Sequence, residues 1–222
     1  EKIMPTPEDI MRHYDSDPDE DPWVRGKPAP EAVVVVPYDP DWPARYARLA
    51  QDIAAALGPA ALRIDHVGST AVPGLPPKPV VDTDVAVADP ADEAAYVPAL
   101  EAIGYVLVIR EPSWHQHRCL QLSTPRVNLH VFGPDCPENI RHRMFRDWLR
   151  THEADRDLYE RAKQAAVGGV LAVMEYDDDR DRYAQAKHAA AEGVDQVADY
   201  NLRKQAVLRG IYDRMFRAAG FH

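Results

Sequence analysis

Two aspartates in an otherwise apolar segment constrain this chain more than any other feature. Residues 80–88 alternate, so Asp82 and Asp84 point to one side of a predicted strand, and the residues on the other side are Val81, Thr83, Val85 and Val87. Asp is depleted in strands, and here both aspartates are flanked by valine or threonine. Their carboxylates would lie about 7 Å apart, which suits a hard divalent cation. The segment predicts a site for Mg²⁺ or Mn²⁺ on one face of a sheet.

A Gly-Ser-Thr turn, residues 68–70, comes shortly before that strand. Backbone N–H groups in such a turn and the hydroxyl of Ser69 can bind phosphate oxygens. The alternative is an ordinary tight turn, since Gly-Ser is common where a strand ends. Because a two-aspartate strand follows, we expect Gly68, Ser69 and Thr70 to bind the phosphates of a nucleotide. A metal ion bound by carboxylates, next to phosphates bound by a turn, is the arrangement that nucleotidyl transfer requires.

Cationic and aromatic side chains are further candidates for phosphate binding. Lys78 lies in a proline-rich loop at residues 73–79, where it is either a plain surface charge or neutralises a phosphate oxygen. Arg118, on a predicted strand, is a second candidate. Three further candidates share one face of a predicted helix at residues 179–192: Arg180, Tyr183 and Lys187. The alternative is a solvent-exposed helix with Asp–Arg ion pairs.

Composition narrows the class of protein. The chain has 222 residues, 45% of them apolar and 28% charged, as expected for a soluble protein with one full core. Its net charge of −10 argues against an extended nucleic-acid partner, which needs a strongly basic face. It contains no apolar run of membrane-spanning length, and its first residues are acidic and proline-rich, so we expect a cytoplasmic location without membrane contact. The two cysteines, Cys119 and Cys136, are expected to be buried free thiols.

The chain divides into three zones. Residues 1–30 form an acidic, proline-rich arm with one capped helix near Thr6, which we expect to be peripheral. Residues 31–135 alternate between strands and helices, and residues 136–222 are helical. The apolar strand segments are residues 33–36, 62–67, 80–88, 105–109, 117–122 and 127–132. The helical segments are residues 43–57, 91–103, 138–150, 154–166, 179–192 and 195–219. The predicted fold class is α/β (α+β), a mixed sheet flanked by helices with a C-terminal helical layer.

Several runs of the sequence together carry a family resemblance. The runs are residues 36–43, 66–75, 128–131, 145–150 and 179–187, together with Lys78, Pro79 and Asp82. They resemble the GrpB family, a branch of the nucleotidyltransferase fold superfamily, over roughly residues 33–190. The resemblance implies a nucleotidyltransferase-like core. Its members generally lack an assigned substrate, so the reaction has to be argued from the site.

Asn128 and His130 stand where active members of that superfamily usually carry a third carboxylate. A neutral imidazole is a poor ligand for Mg²⁺. Three interpretations of His130 remain open: a general base for the acceptor, a ligand for a softer ion such as Mn²⁺ or Zn²⁺, or a structural residue. His115 and His117 are expected on one strand face, where they share a metal or simply lie exposed, with Arg118 on the opposite face.

The sequence therefore predicts transfer of a nucleoside monophosphate from a nucleoside triphosphate to a small acceptor. Asp82 and Asp84 would hold Mg²⁺ or Mn²⁺, and His130 would complete the catalytic set. Lys78 and Arg180 would stabilise the leaving pyrophosphate. Two alternatives stay open: a non-catalytic nucleotide- or metabolite-binding protein of the same fold, and a hydrolase with a transition metal on its histidines.

Overall fold

A five-stranded mixed sheet organises the chain. The computed structural model describes residues 4–14, 17, 19–28, 33–167 and 196–222. The strands are β1 Arg63–Val67, β2 Val81–Ala86, β3 Val106–Glu111, β4 His117–Leu122 and β5 Val127–Phe132. Their order across the sheet is β1-β2-β5-β4-β3, in which β2 and β5 are parallel and the other neighbours antiparallel. The two-aspartate strand therefore lies inside the sheet, between β1 and β5.

Seven α-helices are present in the described part of the chain. They are α1 Pro7–Met11, α2 Trp42–Leu57, α3 Val97–Ala102, α4 Pro137–Thr151, α5 Glu153–Val167, α6 Gln196–Arg203 and α7 Gln205–Ala218. The main core lies between one face of the sheet and α2 and α3, where Val81, Val85, Leu129 and Ile53 are buried together. The opposite face of β2 carries the aspartates, and α4 contacts it through His142. No helix among these is long and apolar enough to cross a membrane.

The predicted mixed sheet with a C-terminal helical layer is confirmed, and β4 and β5 have the predicted bounds. The apolar run at 33–36 is not a strand. Residues 33–39 have no regular structure, and the Val36 N–H donates to the Pro77 carbonyl at 2.9 Å. The neighbouring chain is the proline-rich loop, which lacks the N–H groups needed to return a ladder of hydrogen bonds.

Two predicted helices differ in extent. The helix expected at 91–103 begins only at Val97, after a short 3₁₀ turn at Glu93–Ala95, and Pro98 lies in its first turn, where proline is tolerated. The helix expected at 195–219 is interrupted at Lys204, which separates α6 from α7. The predicted helix at 179–192 lies outside the described residues. Cys119 and Cys136 are buried, as predicted.

The N-terminal arm, expected to be peripheral, packs against the domain at two places. Helix α1 starts with the predicted capping box at Thr6, and its Ile10 is buried against Tyr212 and Phe216 of α7. Further on, Trp23 forms a β-bridge with Ile109 on β3. The arm thus covers part of an edge strand whose N–H and C=O groups would otherwise face solvent.

Candidate active site

The carboxylate face of β2 lies between the ends of two neighbouring strands. Asp82 is opposite Val67, the last residue of β1, and opposite Asn128 on β5. The Asn128 side-chain amide donates to Asp82 Oδ1 at 3.0 Å. Asp82 is partly exposed, whereas Asp84 is 2% exposed. One carboxylate is therefore open to a ligand and the other lies beneath it.

Gly68 lies directly against Asp82. Gly68 has φ 71° and ψ −169°, a backbone region that is essentially reserved for glycine. A Cβ atom at this position would lie 2.4 Å from Asp82 Oδ2. Glycine is thus required both by the turn and by the approach of the carboxylate. The turn and the two-aspartate strand are neighbours because β1 ends beside Asp82.

A buried lysine contacts the serine of this turn. Ser69 begins a short 3₁₀ helix, Ser69–Ala71, and its Oγ accepts a hydrogen bond from Lys163 Nζ at 2.8 Å. The same ammonium group donates to the Pro76 carbonyl at 2.5 Å. Lys163 lies on α5 and is 1% exposed. Burial, together with the nearby charge of Lys204, lowers the pKa of Lys163 to about 7.

Two more lysines, Lys78 and Lys204, lie close to Lys163. Lys204 Nζ lies 4.7 Å from the ring centroid of Tyr200, and Lys78 Nζ lies 5.3 Å from it. Lys163 and Lys204 both approach the ring of Tyr159, at 5.6 and 5.8 Å. Burial lowers the pKa of Lys204 to about 8, against the opposing effect of Asp82. We call Lys78, Lys163 and Lys204 the lysine cluster.

Asp84 forms an ion pair beneath the site. Its Oδ2 accepts a hydrogen bond from His142 Nδ1 at 2.8 Å, while its Oδ1 is buried without a hydrogen-bond partner among the described residues. Burial opposes the charged form of His142, but the Asp84 carboxylate outweighs this and raises the pKa of His142 to about 9. His142 is therefore an imidazolium at neutral pH.

His130 lies beside Asp84, its register partner across β2 and β5. Its Nδ1 is 3.0 Å from His117 Nε2, and His117 Nδ1 is 2.7 Å from Glu111 Oε2. The expectation that His115 shares a strand face with His117 is wrong. Strand β4 begins only at His117, and His115 precedes it in a turn with φ 55°. The histidine pair is formed across two strands instead of along one.

Other predicted site residues lie elsewhere. The Thr70 hydroxyl bonds with His66 Nε2 at 2.9 Å and is fully buried, so its side chain belongs to the interior. Arg118 lies on the α3 side of the sheet, where its Nε donates to Glu93 at 2.6 Å. The structure thus does not bring Arg118 to the carboxylate face. The candidates on the predicted helix at 179–192 are outside the described residues: Arg180, Tyr183 and Lys187.

A divalent cation fits Asp82 and Asp84 if phosphate oxygens complete its coordination. In the described part of the chain, no group of three His, Cys, Asp or Glu side chains is arranged to hold a metal ion. Mg²⁺ is commonly bound by one or two carboxylates together with substrate phosphates and water. Asp84 Oδ1, which is buried and has no hydrogen-bond partner in the part of the chain that the structure describes, and the partly exposed Asp82 are oxygen donors of this kind. The donor set therefore fits a metal that arrives with a nucleotide.

Sequence reasoning missed the residues contributed by the C-terminal helices: Tyr159, Lys163, Tyr200, Lys204 and His142. One signal was available for Lys163. It falls four residues after Tyr159 and three before Ala166, both of which are buried on the inner face of α5. A lysine on this buried face of the helix needs a hydrogen-bond acceptor or an anion as its partner.

These features define an α+β protein with a glycine-serine turn, two carboxylates and a lysine cluster at one site. The family model described as GrpB protein matches residues 32–176, and the chain belongs to this family. A UPF0157 protein of Halalkalibacterium halodurans is 47% identical over 138 residues, which span 62% of this chain and 71% of the relative. A UPF0157 protein of Streptomyces coelicolor is 43% identical over 128 residues, or 58% of this chain and 67% of the relative.

The fold is also similar to a solved member of the family. The crystal structure of the conserved protein GrpB from Enterococcus faecalis superimposes with a TM-score of 0.63 at 24% sequence identity. The match covers 84% of this chain and 99% of the Enterococcus chain. The shared architecture includes the mixed sheet that positions the candidate site.

Proposed function

We propose that this protein binds a nucleoside triphosphate with Mg²⁺ or Mn²⁺ and transfers the nucleoside monophosphate to a small acceptor. The observation that carries the proposal is the buried ammonium of Lys163, 2.8 Å from Ser69 Oγ in the turn that touches Asp82. The metal, the nucleotide and the acceptor are inferred from the chemistry of these groups.

The lysine cluster supports a polyphosphate ligand. Lys163 is almost fully buried, and a buried ammonium group is costly unless an anion or several acceptors compensate it. Burial lowers the pKa values of Lys163 and Lys204, and the charge of Lys204 adds to this effect at Lys163. A triphosphate would supply the negative charge and the acceptor oxygens that three lysines require. Lys78, Lys163 and Lys204 would then hold the phosphates and stabilise the leaving pyrophosphate, a role that Arg180 would share.

The carboxylates would hold the metal on the other side of the phosphates. Asp82 and Asp84 Oδ1 supply the oxygen donors, and a bound Mg²⁺ would neutralise charge on the transferred phosphoryl group. Gly68 allows the turn to approach Asp82 without a side chain between them. In this arrangement His130 is the general base that takes the proton of the acceptor.

A non-catalytic nucleotide- or metabolite-binding protein is the second candidate. It is favoured by the ion pair between His142 and Asp84, because this contact already neutralises one carboxylate. It is also favoured by Asn128 and His130, which occupy positions beside Asp82 and Asp84 where a third carboxylate would assist a metal. In this case the lysine cluster would bind phosphate without transfer.

Nucleotide binding is tested by thermal unfolding of the protein with nucleoside triphosphates, with and without Mg²⁺ or Mn²⁺. A ligand at a hundred times its Kd stabilises by about 2.7 kcal/mol, so binding raises Tm by several degrees. Lys163→Met should remove this shift, whereas Lys27→Met, at an exposed lysine, should retain it. Asp82→Asn should remove the metal-dependent part and leave the fold intact. Asp84→Asn should also remove it but lower the starting Tm, because it breaks the buried ion pair with His142.

Transfer is tested by pyrophosphate release with a panel of small acceptors. Release that requires metal and is lost in Asp82→Asn supports the transferase. Nucleotide binding that depends on Lys163 without any pyrophosphate release supports the binding protein. Unchanged Tm shifts in Lys163→Met and both aspartate variants would contradict a phosphate site at this position.

A further inference from the structure

We infer that Glu111 and His117 are positioning residues that hold His130 in the Nδ1–H tautomer, so that its Nε2 is the bare, proton-accepting nitrogen. The use of that nitrogen as a general base rests on the proposed function. The hydrogen-bond order that selects the tautomer does not.

The order of donors and acceptors follows from the chain of hydrogen bonds. An ionised carboxylate can only accept, so the proton between Glu111 Oε2 and His117 Nδ1, 2.7 Å apart, belongs to the imidazole. A neutral imidazole carries one N–H, so His117 Nε2 is an acceptor. It lies 3.0 Å from His130 Nδ1, which must therefore be the donor. The single proton of neutral His130 is then on Nδ1, and Nε2 carries a lone pair.

The surroundings of His117 preserve this order. His117 is 3% exposed and lies between aromatic rings, stacked on Phe132 at 4.7 Å and edge-on to Trp114 at 4.9 Å. Water that would offer alternative partners is largely excluded. Burial also lowers the pKa of His117 well below its usual value, which keeps the imidazole neutral.

Glu111 is the solvent-facing end of the chain of hydrogen bonds. Its side chain is 25% exposed and lines a cavity of about 330 Å³, together with Glu20, Ser113 and Trp114. Burial raises the pKa of Glu111 above its usual value, so the ionised state is best studied at mildly alkaline pH. Glu111 is accessible to solvent and His117 is buried. The group that fixes the tautomer of His130 therefore lies outside the candidate active site.

The consequence for the proposed reaction concerns one proton. The acceptor O–H or N–H would give its proton to His130 Nε2 while the acceptor oxygen or nitrogen bonds to the α-phosphorus and the bond from that phosphorus to the leaving pyrophosphate breaks. His130 becomes an imidazolium, whose Nδ1–H still donates to His117, and the Glu111 carboxylate stabilises the positive charge through that intervening ring. A carboxylate that orients a catalytic histidine directly is a recurrent arrangement in enzymes, and here His117 lies between the two groups. The proton leaves to solvent with the next turnover.

The tautomer can be measured directly by long-range ¹H–¹⁵N NMR on labelled protein at pH 8, without metal or nucleotide. We expect His130 to show a protonated Nδ1 and a bare Nε2. Glu111→Leu removes the acceptor for His117, and His117→Phe removes the acceptor for His130 while keeping an aromatic ring beside Phe132. Both variants should shift His130 towards the Nε2–H form. Glu20→Gln changes a carboxylate of the same cavity that bonds to Ser113 instead of His117, and should leave the tautomer unchanged.

A parent protein whose His130 is Nε2–H would overturn the inference, as would a folded Glu111→Leu variant that retains only the Nδ1–H form. If Glu111→Leu fails to fold, the parent spectrum and His117→Phe decide. Where pyrophosphate release is observed, Glu111→Leu should lower kcat on the order of a hundredfold with nucleotide affinity unchanged. A protein with the expected tautomer but no pyrophosphate release with the acceptor panel supports the binding protein over the transferase, and it still supports the positioning role.

Discussion

Gly68 is the residue at which backbone conformation and site geometry coincide. Its positive φ is needed to turn the chain out of β1, and its missing side chain lets the turn touch the carboxylate of Asp82. Gly74, a few residues later, also has a positive φ, of 80°, but a Cβ there would have no atom within 4 Å. Comparing substitutions at the two glycines therefore separates the energetic cost of a positive φ from the cost of the contact with Asp82.

We predict that Gly68→Ala is more destabilising than Gly74→Ala and that it alone impairs nucleotide binding. Both substitutions place a Cβ atom at a positive φ, which costs on the order of 1–3 kcal/mol. Gly68→Ala adds an overlap with Asp82, on the order of 1–3 kcal/mol, and displaces the carboxylate. Urea unfolding measures the difference in stability, and metal-dependent thermal shifts measure binding. Equal effects of the two variants in both assays would mean that Gly68 and Asp82 are not in contact.

At the scale of elements, the N-terminal arm contributes to the helical layer in spite of its polar composition. Helix α1 has only five residues and is too short to be stable alone. It is held by Ile10, which is 6% exposed and packs with Tyr212, Met215 and Phe216 of α7. One buried aliphatic side chain in an acidic, proline-rich segment is a weak sequence signal, which is why the arm was expected to be peripheral.

We predict that Ile10→Ala lowers the free energy of unfolding by about 2–4 kcal/mol, the usual cost of truncating a buried isoleucine. Met4→Ala, in the same arm but 66% exposed, should change it by less than about 0.5 kcal/mol. Chemical denaturation of both variants provides the comparison. A cost for Ile10→Ala as small as that for Met4→Ala would show that the arm does not pack on α7 in solution.

At the scale of the whole molecule, the lysine cluster concentrates positive charge in a chain of net charge −10. Lys163 comes from α5, Lys204 from the junction of α6 and α7, and Lys78 from the proline-rich loop. Burial and the nearby charges of Lys204 and Lys78 lower the pKa of Lys163 to about 7, from 10.5. Folding therefore stores a cost at this site that a polyanion would remove.

We predict that Lys163→Met changes the pH dependence of stability. In the parent, the unfolded chain holds the Lys163 proton up to about pH 10.5 and the folded chain only up to about pH 7. The unfolding free energy of the parent therefore falls as pH decreases from 10.5 to 7, and this contribution is constant below 7. Lys163→Met lacks this pH-dependent contribution. As the pH falls from 9.5 to 7, the free energy of unfolding of the variant should therefore rise relative to that of the parent by on the order of 3 kcal/mol.

Urea unfolding without nucleotide at the two pH values measures this change. The lost hydrogen bonds to Ser69 and Pro76 shift both measurements alike, so the pH-dependent difference isolates the charge. Lys27→Met should show no such difference. A Lys163→Met variant whose stability runs parallel to the parent from pH 7 to pH 9.5 would mean that Lys163 is not buried as described.

The sequence by itself determined the local elements and the nearest-neighbour part of the site. Strands β4 and β5, the alternation of β2 and the helix α2 follow from side-chain periodicity, which acts over a few residues. The turn at Gly68 and the strand of Asp82 were expected to form one site, because phosphate and metal have to meet there. Even here the apolar run at 33–36 was misjudged, since a strand needs a partner able to return hydrogen bonds.

Only the tertiary structure decided which distant side chains complete the site. Lys163 reaches Ser69 across 94 positions of sequence, and His142 reaches Asp84 across 58. Such contacts depend on how α4 and α5 pack over the sheet, which local periodicity does not encode. The same packing shifts the pKa of Lys163 and of His142 in opposite directions, because one is buried beside other cations and the other beside a carboxylate. Residue types establish what a side chain can do, and burial and neighbouring charge establish its state in the folded protein.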